Sequence, residues 1–301
     1  MARDPKHDPH FEANRAWWDG VVPIHEASRG YDRAGFLRGE KPLCPVERDE
    51  LGPLVGGKAL LHLQCHFGID TLNWARLGAT VTGLDFSAPA IEAARRLSAE
   101  SGIPGRFVCA NVYDAPVTLG ETFDIVYTGI GALNWLPDIR AWAEVAASCL
   151  RPSGLLYLYE GHPMLWTLDA ERSDGELVVR ERYFELAEPL VSESEFTYVD
   201  GPGFARRNNC EWNHGLGETI TAIVAAGLVI EFVHEHREIP WQALPSMEPA
   251  TRAAPGPPSH QVGPGTLGSG GRYQSNRMWR LPEAQRDRVP LMVSILARKP
   301  S

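Results

Sequence analysis

KALLHLQCHFGIDTLNWARLGATVTGLD, residues 58–85, decides the fold. Lys58 to Leu63 is an apolar run that suits a buried strand, and a turn containing Gly68 follows. Glycine there lets backbone approach a ligand with no Cβ in the way, and a helix from about Ile69 to Leu77 aims its first N–H groups at that point. A second apolar run closes on Asp85, 17 residues beyond Gly68. An acceptor at the carboxyl end of the neighbouring strand can grip the two hydroxyls of a ribose. The stretch outlines an adenosine site.

The turn narrows the ligand. Dinucleotide sites carry G-x-G-x-x-G because a pyrophosphate lies against bare backbone amides, whereas this loop reads Gln64, Cys65, His66, Phe67, Gly68 with a single glycine. Such a loop suits a phosphate-free ligand.

Further signals follow in order. Arg106–Ala110 reads as a third strand leading into Asn111-Val112, Phe123–Thr128 as a fourth, and Leu150-Arg151-Pro152-Ser153-Gly154-Leu155-Leu156 as a turn into a fifth. This series resembles the class I S-adenosylmethionine (SAM) methyltransferases over roughly residues 55–165. Aligned by its last glycine on their motif I, D/E-x-G-x-G-x-G, His62 stands for the acidic residue and Gln64 and His66 for the first two glycines. HLQCHFG, GLDFS, GALNWLPD, EGHP and WNHGLGE are similar to a bacterial subgroup acting on small molecules.

The resemblance implies a Rossmann-like α/β fold with a seven-stranded methyltransferase sheet, mostly parallel with an antiparallel last strand. It also implies SAM as cofactor, with Gln64, Cys65, His66, Gly68, Asp85, Phe86, Asn111, Val112 and Thr128 around it. Transfer to a small-molecule acceptor in specialised metabolism is the expected activity. The rivals are an NAD-dependent oxidoreductase, against which the missing glycines speak, and a SAM-binding protein without methyl transfer.

Organisation follows from composition. A chain of 301 residues, 44% hydrophobic and 22% charged, holds one large α/β domain with an elaboration. A net charge of −9 disfavours a broad nucleic-acid surface, although Arg206-Arg207 could form a local basic patch. No apolar run is long enough for a bilayer, and the start of the chain lacks a secretory core. Cys44, Cys65, Cys109, Cys149 and Cys210 have no paired spacing and read as reduced thiols, so a cytoplasmic location is expected.

Residues 1–45 read as an N-terminal helical lid, since Trp17, Trp18, Ile24, Tyr31 and Phe36 are spaced as in short amphipathic helices. By resemblance Trp17, Trp18 and His25 wall the pocket; simple packing of a helix on the sheet is the alternative. Residues 46–160 form the SAM-binding core. Residues 161–210 are an inserted β-hairpin cap, with Leu177–Glu185 expected to pair with Leu190–Asp200. Residues 211–301 end the core with a helix over Gly215–Ala226 and strands at Leu228–His236 and Leu291–Arg298. A Pro/Gly-rich loop lies between those strands at about 250–275.

SAM carries its own electrophilic methyl, so the protein chiefly aligns a nucleophile and removes a proton where required. His162 and His214 lie where a base is expected; a structural hydrogen bond is the other reading of each. Glu160 either binds a cationic group or anchors a loop. His234 with His236, and His62-x-x-Cys65-His66, have spacings that a metal uses, but position argues against both, so no metal is expected. Trp135, Trp166, Trp212, Trp241 and Trp279 either build an aromatic pocket for a planar, hydrophobic or cationic acceptor or pack the core.

Overall fold

The computed structural model describes residues 7–205, 207–250 and 278–301. The Pro/Gly-rich stretch within 251–277 and Arg206 lie outside the described residues.

The chain runs α1 (Asp8–Ala27), α2 (Arg33–Leu37), α3 (Pro45–Glu50), β1 (Ala59–Leu63), α4 (Ile69–Arg76), β2 (Thr80–Asp85), α5 (Ala88–Ser101), β3 (Arg106–Cys109), α6 (Ala115–Leu119), β4 (Phe123–Thr128), α7 (Ile139–Cys149) and β5 (Leu150–Gly161). The insertion contributes β6 (Leu190–Ser194) and β7 (Arg207–Glu211). Then come α8 (Leu216–Ala225), β8 (Val229–His236), the two-residue strands β9 (Glu238–Ile239), β10 (Glu248–Pro249) and β11 (Trp279–Arg280), and β12 (Met292–Arg298).

Seven strands form one sheet in the order β3-β2-β1-β4-β5-β12-β8. The first five are mutually parallel, and β12 lies antiparallel to both β5 and β8, as expected. Both faces are covered, so the central strands are buried almost throughout. Leu61, Leu63, Leu84 and Val126 pack toward Trp142, Ala143 and Ala146 of α7. Leu60, Val81, Ile125 and Tyr127 pack toward Trp74 of α4.

Helix ends are set by local chemistry. Ser87 caps α5 by accepting from Ala90 N, and Asp138 caps α7 by accepting from the N–H groups of Arg140 and Ala141. Asn111 accepts from Tyr113 N at 3.1 Å and so turns the chain directly after β3.

Two expectations need correction. Of the short helices expected over residues 11–37 only Arg33–Leu37 is short, the rest belonging to one 20-residue helix, Asp8–Ala27. Phe11, Asn14, Trp17, Val21 and Ile24 fall every three or four positions and make one continuous buried stripe. The cap does contain a hairpin, but β6 pairs antiparallel with β7, from Leu190↔Glu211 to Ser194↔Arg207. Residues 177–185 contribute only an isolated bridge between Leu168 and Val179. The reason lies in α1: Asn14 Nδ2 donates to Cys210 O at 2.9 Å, and Cys210 N donates to Asn14 Oδ1 at 2.7 Å. Those bonds fix β7 and give β6 an edge to pair with.

Candidate active site

A cavity of about 200 Å³ opens over the carboxyl ends of β1, β2 and β4 and beneath α1 and the cap. One side is assembled by strand ends. Asp85, the last residue of β2, is buried and accepts at Oδ2 from His66 N and at Oδ1 from Ser87 N, each at 2.9 Å. Burial raises its carboxyl to about 6 although these N–H groups pull the other way. Phe86, Asn111 and Val112 line the cavity beside it, as does Gln64, whose Nε2 donates to Ala132 O at 2.8 Å.

Gly68 caps α4 with φ +80. Its missing Cβ would stand 2.7 Å from Phe107 Cε1 and 3.1 Å from Ala94 Cβ. The glycine therefore serves close packing of turn, β3 and α5, rather than lining the main cavity. Cys65 also turns away, its buried thiol lying within the cluster that holds Ile91 and Phe107. Thr128 is fully buried and does not line the cavity; its hydroxyl is unpaired among the described residues. Gln64, His66, Asp85, Phe86, Asn111 and Val112 come to the main cavity wall, whereas Gly68 and Cys65 line an adjoining hollow together with Gln64 and His66.

The opposite side is aromatic. Trp17 and Trp18 of α1, Trp135, Trp166 and Trp241 line it with Phe11, Tyr31 and Tyr198. Trp166 and Trp241 stack at 6.0 Å and 12°, and Trp17 stacks on Trp135 at 5.5 Å and 26°. Trp212 lies at a separate hollow near α8, and Trp279 belongs to β11. His25 is fully buried behind the wall rather than on it.

Charge on the wall is one-sided. Glu47, Asp70, Asp85 and Glu211 line the cavity, and neither Lys nor Arg is among the described lining residues. Glu47 of α3 accepts from the Tyr127 hydroxyl, and burial, with Asp70 nearby, pushes its carboxyl up to about 8. Nothing in PVERDE marks Glu47 as a cavity residue, because a helix so rich in acids reads as a solvated face. Lys41 reaches an adjoining hollow of about 80 Å³, where its Nζ donates to Gly30 O at 2.8 Å.

Neither expected base reaches the main cavity. His214 directs Nδ1 at Glu185 and Nε2 at Leu136 O, 2.7 Å away. His162 accepts from Met164 N at Nδ1 and holds Nε2 3.0 Å from Glu235. Both rings are engaged in structural contacts. Glu160 anchors a loop: Oε1 accepts from Gly131 N and Gly161 N at 2.6 and 2.9 Å, and Oε2 from Ala132 N and Leu133 N at 2.9 and 3.2 Å.

The metal-like spacings behave likewise. His62 pairs with Thr71 Oγ1 at 2.8 Å, His234 with Glu50 at 2.8 Å and His236 with Ser294 Oγ at 2.9 Å. Glu185, His214 and Glu218 bring one ligand atom each within 4.8 Å of one another, at the surface beside α8. No helix among the described residues is long and apolar enough to cross a membrane.

Residues 61–156 match a family model described as a methyltransferase domain. At 30% identity over 157 residues, 51% of this chain and 62% of the relative, the sequence is similar to a ubiquinone biosynthesis O-methyltransferase of Methylobacterium sp. (strain 4-46). The chain thus spans less than two thirds of that curated relative's length. Among solved structures, it superposes on the CcbJ methyltransferase of Streptomyces caelestis with a TM-score of 0.57 at 14% identity, covering 95% of this chain and 98% of that one. A SAM-dependent methyltransferase of Mesorhizobium loti gives 0.51 at 18% identity, over 85% and 96%. Residues 61–156 thus match a methyltransferase domain model, and the chain has the seven-stranded fold of these solved methyltransferases.

Proposed function

We propose that this chain is a SAM-dependent methyltransferase that moves a methyl group to a hydroxyl of a small planar acceptor. The observation that carries the reading is the charge of the cavity wall. Asp70, Asp85 and Glu211, beside a Glu47 whose carboxyl burial keeps protonated near neutral pH, face no Lys or Arg among the described lining residues. Such a wall suits a ligand whose sulfur and amino group are positive and disfavours the pyrophosphate of a dinucleotide. Asp85 takes the ribose hydroxyls, while Phe86, Asn111 and Val112 lie against the adenine. Gln64 and the backbone of His66 face the methionine side. The aromatic wall takes the acceptor, since flat rings stack on tryptophan and exclude water from the transfer. The names of relatives such as the Methylobacterium enzyme support a hydroxyl as the accepting group. A role in specialised metabolism fits a small aromatic acceptor.

Calorimetric titration with SAM and with NAD, followed by detection of S-adenosylhomocysteine (SAH) with 3,4-dihydroxybenzoate and a panel of phenols, tests this. SAM binds, NAD does not, and SAH accumulates only with an acceptor present. NAD binding without SAM binding sinks the reading; SAM binding without transfer to any member of the panel favours the non-transferring rival.

A further inference from the structure

Two histidines meet between the cofactor turn and α1. His66 Nε2 lies 2.9 Å from His25 Nδ1, and His25 Nε2 lies 2.7 Å from Thr197 Oγ1 in the cap. Burial holds both rings neutral, His25 well below the ordinary imidazole range and His66 down at about 3. Each ring then carries one N–H. In one alignment His66 Nε2–H donates to His25 Nδ1, and His25 Nε2–H donates to Thr197.

That alignment leaves a lone pair on His66 Nδ1. This nitrogen has no hydrogen-bond partner among the described residues and is not sealed from solvent-sized space, and His66 stands where the main cavity meets the adjoining hollow that holds Lys41. The ring is held edge-on by Trp18 at 5.0 Å and by Phe67 at 4.5 Å between centroids. His66 itself has φ 50, which turns its side chain toward α1 while its backbone N–H stays with Asp85. A neutral histidine with one nitrogen held by a buried partner and the other facing a reaction space is the arrangement of a general base with an orienting group.

We propose that His66 receives the acceptor's proton during methyl transfer and that His25 is the positioning residue that fixes its tautomer. This rests on the methyltransferase reading above. The acceptor O–CH3 bond forms as the S–CH3 bond breaks, and that electron pair stays on sulfur to leave a neutral thioether. The hydroxyl proton passes to His66 Nδ1. Positive charge moves from sulfonium to imidazolium, whose Nε2–H donates to the His25 lone pair, so the net charge of the cavity is unchanged. An oxygen gaining a third bond becomes a far stronger acid than imidazolium, so a base of low proton affinity suffices. Tyr31, Tyr198, Asp70, Asp85, Lys41 and Cys65 are among the titratable side chains around the pair.

The test uses the full chain, the variants His66→Gln and His25→Gln, SAH for binding and 3,4-dihydroxybenzoate as the acceptor probe. Both variants keep SAH affinity within about twofold of the parent, as expected of a ring that removes a proton rather than grips the cofactor. His66→Gln lowers kcat by about 10²–10⁴-fold with KM unchanged, and His25→Gln lowers it less. At about pH 10, where a phenol is itself ionised, the deficit of His66→Gln shrinks. Histidine ¹⁵N spectra of the SAH complex find Nδ1 of His66 bare and Nε2 protonated. An undiminished kcat, a deficit that persists at high pH, a protonated Nδ1, or SAH binding weakened more than tenfold in His66→Gln overturns the assignment. If the parent binds SAH but does not methylate the probe, the spectra decide alone. If it does not bind SAH, the methyltransferase reading fails and this assignment falls with it.

Discussion

The two sides of the cavity are built by different means. On the cofactor side, polar groups are fixed by backbone: Asp85 by two N–H donors, Asn111 by Tyr113 N, and Gln64 by Ala132 O. On the roof side the wall is aromatic surface carried by α1, the cap and the connections around Trp166 and Trp241. The cap also leaves Phe184, Val191 and Phe196 exposed, whereas β1 and β2 are buried nearly throughout. Backbone-fixed polar contacts make a few residues indispensable. Stacked aromatic surface spreads recognition over many, and it can change acceptor while the cofactor side stays the same.

The sharpest way to break this comparison is at Gly68. A valine there meets both an unfavourable positive φ and the Phe107 ring, so Gly68→Val should lose about 2–6 kcal/mol of stability, read by chemical denaturation. A variant as stable as the parent would show the cofactor turn to be as tolerant as the roof.

Next in size is Asp85. Removing a charge-assisted acceptor costs about 1.5–3 kcal/mol, so Asp85→Ala should weaken SAM about 10–150-fold by calorimetry. The same carboxyl gives a pH signature. With its proton held up to about 6, it is an anionic acceptor above that pH and a neutral acid below it. SAM affinity is therefore full near pH 7.5 and falls as pH drops through about 6. Asp85→Asn should bind weakly and with a flatter profile; an unchanged profile would move the titration to Glu47 or Asp70.

The smallest effect belongs to the roof. Trp166→Ala removes one half of a stacked pair worth about 0.5–1.5 kcal/mol, so KM for an aromatic acceptor should rise about 2–12-fold while SAM affinity holds. Equal losses for both ligands would mean that the two sides are not separable.

The same contrast governs what could be read from sequence. Asp85 and Asn111 were legible because apolar strands end on them and helical turns begin at once, a local pattern. Gly68 was legible as a position but not in its reason, since its neighbours Phe107 and Ala94 come from β3 and α5. His214 was rightly placed just before a helix. Its ring is nevertheless claimed by Glu185 and Leu136 O, partners that only the tertiary fold supplies. Alternation marked Leu190–Asp200 as a strand, of which only Leu190–Ser194 forms, and it could not choose β7 as the partner, because that choice depends on Asn14, nearly two hundred residues earlier. Glu47 left no local trace.

The loop that Glu160 clamps also bears on how molecules enter and leave. Gly131 and Ala132 line the cavity, and opening that loop would strip three N–H donors from one buried carboxylate. The roof is tied within itself, α1 to β7 through Asn14, and to the core by a few side-chain bonds: Ser87 Oγ to Asp19, Asn14 Nδ2 to Trp135 O, Asn134 Nδ2 to Glu211, and His25 with His66. A roof that opened for ligand traffic would break the Asp19–Ser87, Asn14–Trp135 and Glu211–Asn134 bonds while keeping Asn14–Cys210. The helix α1 and the hairpin would then move as one piece, and their opening rate would bound turnover.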